Sequence, residues 1–254
     1  MIVITVDIGN TSTSMGLVSS KRVTAVQRLS THKSTLQDIE RTLRAMLVSR
    51  KEKTLPSIIA SVVPRRSAVW QRALFNVTGL QPLILTHRLN LGIAIDYPRP
   101  WRIGADRLAN AVGAVARYGS PVIVADFGTA LTFDVIDERP AYVGGVIAPG
   151  LPLMTEYLPS RTALLPPFEI KGYRRHIGRS TLGAMQIGAR IGYVGMVREI
   201  YRHICEGLPH RRRVPLVATG GYARWVVSGS KLEAKVDSSL TLFGLGKIFQ
   251  LNRG

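Results

Sequence analysis

Twice in this chain an apolar strand runs into Asp-x-Gly, passes through short hydroxyl or amide side chains and returns as a second alternating strand. The first copy is IVITVDIGNTSTSMGLV, with Asp7, Gly9, Asn10, Thr11 and Thr13. The second is PVIVADFGTALTFDVID over Pro121–Asp137, with Asp126, Gly128, Thr129 and Thr132. Continuous apolar runs of this length read as buried strands. The glycine lets a backbone or ligand come close. An ionised acid ending an apolar strand needs a partner or a cation. Two such turns facing each other would hold a polyanion and a metal between them.

The surrounding pattern repeats as well. In the first half, strands are expected at 2–8, 12–19 and 23–30. A helix follows over Thr35–Arg50, with Leu36, Ile39, Leu43, Met46 and Leu47 at helical spacing and Ser34 or Thr35 as its cap. Ser57–Val63 is a β-branched strand stopped by Pro64, Arg66–Val77 a helix and Pro82–Leu85 a short strand. Residues 87–103 form a Pro- and Arg-rich connection with no expected regular structure, a length often tied to function. Within it, Trp101 and Arg102 read either as the rim of a cleft or as surface packing. Gly104-Ala105-Asp106-Arg107 then opens a helix that runs to about Arg117.

The second half expects strands at 121–126, 130–136 and 141–147, a helix starting in Leu151–Leu158 and a loop over 159–178. A long helix follows over Thr181–Cys205, carrying Gly183, Gly188, Gly192 and Gly195. A strand at 215–219 and helices at 222–227 and 240–250 complete it. Each half therefore reads strand, strand, strand, helix, strand, helix. The expected fold is α/β, with two duplicated domains at 1–117 and 118–254, a cleft between them and a ligand near the strand ends.

The formal net charge is +18, from 34 basic and 16 acidic residues. Nucleic-acid binding is the obvious reading of such an excess. The charge is spread, however, with 17 basic and 6 acidic residues in 1–117 and 17 and 10 in 118–254. The densest runs, Arg211–Arg213 after His210 and Lys171 with Arg174, Arg175 and His176, lack interleaved aromatics. A solvated basic surface is the expectation, with no specific nucleic-acid partner. No apolar run reaches the ~18 residues of a membrane span. The start MIVITVD has no basic region ahead of its apolar stretch, so no signal peptide is read. Cys205 is the single cysteine, which excludes an intrachain disulfide. A cytoplasmic protein is expected.

Three acids carry the candidate chemistry. At Asp7-Ile8-Gly9-Asn10-Thr11, close backbone approach and donors from Asn10, Thr11 and Thr13 suit a phosphate, and Asp7 suits Mg²⁺. An ordinary hairpin turn is the plainer alternative. Asp126 has no basic residue between Arg117 and Arg139, which points to a bound cation, with a capping role as the alternative. Asp106 lies at a helix start, where it is either a cap or a base that orients a substrate hydroxyl toward a phosphoryl group. Arg107 beside it suits an anionic end of the substrate.

Taken together, these residues resemble the type III pantothenate kinases of the acetate and sugar kinase, chaperone and actin superfamily. The resemblance runs nearly end to end. It rests on Asp7–Thr11, Ser61–Pro64, Tyr97, Gly104–Arg107, Asp126–Thr132, Gly144–Gly150, Arg161–Pro166, Gly178–Thr181, Thr219–Gly221 and Leu240–Leu245, in that order. Small departures occur at Leu131, Ser180 and Ile187, where the family usually has Thr, Asn and Ser. The resemblance implies two ribonuclease-H-like (actin-like ATPase) domains around an interdomain cleft. It implies ATP-dependent phosphorylation of pantothenate, the first step toward coenzyme A.

The implied roles follow residue by residue. Asp7, Ile8, Gly9, Asn10, Thr11, Ser12, Thr13 and Ser14 would contact ATP, with Thr129 also on the nucleotide. Asp106 would accept the proton of the pantothenate hydroxyl; Tyr97, Gly104, Ala105, Asp106, Arg107 and Thr181 would contact pantothenate. Asp126 would bind a monovalent cation, K⁺ or NH₄⁺, alongside the Mg²⁺ of ATP. The family is dimeric, and the long helix from Thr181 would contribute to that contact; packing within one subunit is the alternative for its glycines. An accessory transcription factor is the competing class implied by some proteins resembling the family.

Overall fold

The structure, a computed structural model, describes residues 1–48, 54–170, 176–208 and 214–253. The basic runs at 171, 174 and 175 and at 210–213 lie outside the described residues. The chain divides into two compact units. One comprises Met1–Pro121, Val135–Gly144 and Ser239–Gly254, the other Val122–Asp134 and Gly145–Ser238.

In the first unit, β1 (Val3–Ile8) and β2 (Ser12–Val18) form a hairpin that β3 (Val23–Ser30) extends, all antiparallel. After α1 (Leu36–Leu47), β4 (Ser57–Ser61) pairs parallel with β1 on its other side. Beyond α2 (Pro64–Thr78), β5 (Leu83–Ile84) gives the order β3-β2-β1-β4-β5. The pleat alternates side chains between faces. Ile4, Val6 and Ile8 join Ile39, Leu43, Trp70 and Leu74 in one core with α1 and α2. Val3, Thr5 and Asp7 therefore point to the opposite face.

Two helices hold that opposite side. α3 (Ala105–Tyr118) and α7 (Leu240–Leu251) pack on each other through glycines. A Cβ at Gly113 would lie 2.7 Å from the Leu240 carbonyl oxygen, and one at Gly244 only 1.9 Å from that of Ala109. Thr241 Oγ1 donates to the Oδ1 of buried Asn110 at 2.7 Å. Arg117 donates to Ser239 Oγ at 3.1 Å and lies 3.8 Å from the Phe243 ring centroid. Such a cation–π contact contributes about 0.5–2 kcal/mol.

The second sheet has the order β11-β10-β7-β8-β9-β6, built from β6 (Ala94–Ile95), β7 (Val122–Phe127), β8 (Ala130–Ile136), β9 (Ala141–Pro149), β10 (Leu216–Thr219) and β11 (Ala234–Val236). Without β6 it repeats the first sheet strand for strand. β7 has the burial pattern of β1, and its parallel partner β10 stands where β4 stands beside β1. The duplicated α/β architecture of the expectation is thus present.

Two helices, α1 and α5 (Thr181–Gly207), start at a side-chain cap. Thr35 caps α1 in a reciprocal box: its hydroxyl accepts the Asp38 N–H at 3.2 Å, and Asp38 Oδ2 accepts the Thr35 N–H at 3.0 Å. Ser180 caps α5 by accepting the Gly183 N–H at 3.1 Å. One expectation needs correction: the connection 87–103 contains β6 and a 3₁₀ turn at Pro100–Arg102, both too short to show a period. The helix expected from Leu151 starts there and runs to Arg161, with a π turn at Leu153–Tyr157 ahead of α4 (Leu158–Arg161).

Candidate active site

The first turn is built by the β1–β2 hairpin. Pairing of Asp7 with Ser14 and Ile8 with Thr13 leaves residues 9–12 as the loop, closed by Gly9 N–H donating to Ser12 O at 3.2 Å. Thr31, just past β3, braces it from below. Its hydroxyl donates to Gly9 O at 2.7 Å and lies 3.0 Å from the Thr13 hydroxyl, and its N–H donates to Thr11 O at 3.1 Å. Thr13 is therefore a buried strut, while Asn10 and Thr11 are exposed. Asp7 is half-buried at the strand end.

Asp106 and its neighbours occupy the start of α3. Gly104, not Asp106, is the N-cap: its carbonyl accepts the Leu108 N–H at 3.1 Å. Asp106 turns back on itself, and Oδ1 accepts the Arg107 N–H at 2.8 Å. A Cβ at position 104 would lie 2.5 Å from that oxygen, so a glycine leaves the carboxylate its room. Burial pushes the Asp106 carboxyl above the ordinary carboxylate value; the N–H and the guanidinium charge of Arg107 oppose the rise. A carboxylate of raised pKa beside a helix N-terminus can take a proton from a hydroxyl.

Tyr97 and Arg107 come together on a residue that sequence reasoning missed. The β6–β9 register sets Ile95 against Tyr142, and Asp96 N–H donates to Tyr142 O at 2.9 Å. The Tyr97 and Tyr142 rings meet edge to face, with centroids 6.1 Å apart, and the Arg107 guanidinium carbon lies 5.8 Å from the Tyr142 ring centroid. Tyr142 is fully buried, Tyr97 is 37% exposed and Trp101 64%. Nothing local in Ala141-Tyr142-Val143-Gly144-Gly145 sets this tyrosine apart from an ordinary strand residue.

The second turn is closed by Gly128 N–H donating to Ala130 O at 3.1 Å, which leaves Thr129 exposed at its tip. Two glycines press on it. A Cβ at Gly150 would lie 2.1 Å from Thr129 O, and one at Gly220 would lie 2.5 Å from Asp126 Oδ1. The Tyr193 hydroxyl is buried nearby. Burial raises its pKa, and the Asp126 carboxylate adds to the rise, as does Tyr222, while the Leu151 backbone opposes it. Oxygen donors of this kind are the type a hard cation takes. Among the described residues, no group of three or more His, Cys, Asp or Glu side chains is gathered for a metal. Thr181 is exposed as the first residue of α5, where Gly178 packs so tightly that a Cβ would lie 2.3 Å from Ala184 N.

Comparison with known proteins gives the family of the chain. A family model described as type III pantothenate kinase matches residues 3–203. A type III pantothenate kinase of Methylacidiphilum infernorum is 39% identical, over 98% of this chain and 88% of its own length. One of Finegoldia magna is 37% identical, over 99% and 98%. Among solved structures, a putative Baf family transcriptional activator from Campylobacter jejuni matches with TM-score 0.60 and 19% identity over 98% of both chains. The activator of the 2-hydroxyisocaproyl-CoA dehydratase from Clostridium difficile, with bound ADPNP, matches with TM-score 0.55 and 12% identity, over 99% of this chain and 95% of its own. At these identities the two structures show the fold alone.

Proposed function

The chain belongs to the type III pantothenate kinase family, and on that premise we propose how its residues divide the transfer of a phosphoryl group from ATP to pantothenate. The activity is ATP-dependent phosphorylation of pantothenate in coenzyme A biosynthesis; the reading as a transcriptional accessory factor is not favoured. The observation that carries the residue assignment is the Asp106 carboxylate, held by the Arg107 N–H with its pKa raised by burial.

Asp106 orients the primary hydroxyl of pantothenate and accepts its proton. The hydroxyl oxygen attacks the γ-phosphorus, the bond to the β–γ bridging oxygen breaks, and ADP leaves. Tyr97, Gly104, Ala105 and Arg107 contact pantothenate, with Arg107 facing its carboxylate and Thr181 adding a hydroxyl. In the first unit, the turn within Asp7–Ser14 contacts the nucleotide: backbone N–H groups, Asn10 and Thr11 meet phosphate oxygens, Asp7 would meet the Mg²⁺ of ATP, and buried Ile8 and Thr13 hold the turn in shape. In the second unit, Thr129 contacts the nucleotide, and Asp126 holds a monovalent cation, K⁺ or NH₄⁺. Bound cations offset the negative charge gathered on the phosphates during transfer.

We also propose a homodimer that uses α5. Among the described residues, a Cβ at Gly188, Gly192 or Gly195 would meet nothing within 4 Å, and Ile191 beside them is 63% exposed. This face of α5 is open to cover by a second subunit. The duplicated sub-folds are taken as 1–117 and 118–254, with the C-terminal helix returning to pack on α3. A cytoplasmic location is proposed from the family's place in coenzyme A biosynthesis. No helix among the described residues is long and apolar enough to cross a membrane.

The test is a coupled assay of ADP release with ATP, Mg²⁺ and K⁺, with and without pantothenate. Pantothenate-dependent ADP release with phosphopantothenate as product is expected. Failure to form phosphopantothenate would overturn the reading.

A further inference from the structure

We propose that Tyr142 is a positioning residue for the pantothenate subsite, its buried ring holding Tyr97 and Arg107 in one fixed arrangement. The inference rests on the reading that those two residues contact pantothenate. Tyr97 and Arg107 come from separate segments, one leaving β6 and one in the first turn of α3. No regular pairing between those segments fixes their side chains to each other. Tyr142 touches both: Tyr97 edge to face at 6.1 Å, and the Arg107 guanidinium at 5.8 Å from its centroid.

Three features make the ring a fixed reference. Its backbone is tied into the β6–β9 ladder by the 2.9 Å bond from Asp96 N–H. Its side chain is 0% exposed, so packing restricts its rotamer. Two residues on, Gly144 has φ +137, a backbone that favours glycine, and a Cβ there would make an ordinary 3.9 Å contact with the Tyr97 ring.

The chemistry fits a carboxylate-bearing substrate. An arginine side chain loses rotamer freedom when it binds, and fixing it beforehand lowers that cost. At 5.8 Å the guanidinium lies within cation–π range of the ring, an attraction that favours one placement of the group without using its N–H donors. Tyr142 thus acts through Arg107 and Tyr97 rather than on the substrate itself.

The experiment replaces the ring electronically while keeping its shape. Tyr142→Phe is compared with the same position carrying 4-fluoro-, 3,4-difluoro- or 3,4,5-trifluorophenylalanine, with pantothenate and ATP each varied. Tyr142→Phe, which removes the hydroxyl and keeps the ring, is the reference against which the fluorinated series is read. The pantothenate KM should rise stepwise with fluorination, to about 2–5-fold for the trifluoro ring, the range of an ordinary cation–π contact. The ATP KM and kcat should stay level, and the trend should vanish in an Arg107→Met background. A purely structural ring would give a flat series. If the series is flat while Arg107→Met and Tyr97→Met each raise the pantothenate KM, the Tyr142 inference is overturned and the substrate site stands. If those two variants leave the KM unchanged, the substrate-site reading itself falls.

Discussion

Gly220 lies so close to Asp126 that a methyl group on it would sit 2.5 Å from the carboxylate Oδ1 and 2.7 Å from the Phe127 nitrogen. Its φ of +89 adds backbone strain for any other residue. Gly220→Ala is therefore expected to destabilise by roughly 2–4 kcal/mol and to displace Asp126. Gly79, at φ +74 with nothing within 4 Å among the described residues, isolates the backbone part, and Gly79→Ala should cost only about 1 kcal/mol. Urea titrations of both variants give the difference. With Asp126 as the cation ligand, the ratio of rates in K⁺ and Na⁺ should fall toward one in Gly220→Ala and stay unchanged in Gly79→Ala.

The α3–α7 contact reverses a usual rule. Glycine to alanine inside a helix normally stabilises by up to about 1 kcal/mol. Gly229→Ala in α6 (Ala223–Ser230) should follow that rule, since its Cβ would make an ordinary 3.7 Å contact with Val194. Gly244→Ala should instead destabilise by roughly 3 kcal/mol, because its Cβ would meet the Ala109 oxygen at 1.9 Å. Denaturant midpoints decide it; equal shifts in the two variants would show that α7 does not press on α3 as described.

These glycines mark the limit of what could be read in the sequence. The twin strand-turn-strand units were legible because each lies within one short window, and so was the Thr35 end of α1. The position of α7 was not: Leu240, Leu242, Phe243, Leu245 and Ile248 are all buried, so no polar face announces which element it covers. Thr31, Tyr142 and Tyr193 were missed for a related reason. Each acts on a residue far along the chain, and an ordinary Thr or Tyr carries no local sign of that. Asp106 was read from its place at a helix start, but the cap itself proved to be Gly104, which leaves the carboxylate for other work.

The capping box of α1 gives a pH-dependent stability. Thr35→Ala should cost about 1 kcal/mol near neutral pH. Hydrogen bonds from the Thr35 side chain and backbone hold the Asp38 carboxyl below the ordinary carboxylate value. A depressed folded pKa means stability that is present above the unfolded pKa and lost as pH falls through the folded one. The gap between wild type and Thr35→Ala should therefore narrow as the pH is taken below the ordinary carboxylate range. Urea denaturation at several pH values measures it, and a gap independent of pH would remove Asp38 from the box.

Asp106 has the opposite sign. Its folded pKa is raised by burial above that of the unfolded chain. The folded state then holds a proton that the unfolded state has lost, so this group favours folding fully below the unfolded pKa and loses that effect as pH rises through the folded pKa. Asp106→Asn carries no such charge. It should gain stability relative to wild type as the pH rises from acid to neutral, while pantothenate phosphorylation falls by about 10²-fold or more. The wild-type kcat should show an acid limb above the ordinary carboxylate range, because only the ionised form accepts the hydroxyl proton. Nucleotide affinity, measured by titration calorimetry, should remain within about threefold in Asp106→Asn, since the carboxylate is assigned to the hydroxyl and not to ATP. An Asn variant that keeps full turnover would transfer the proton-accepting role to another group.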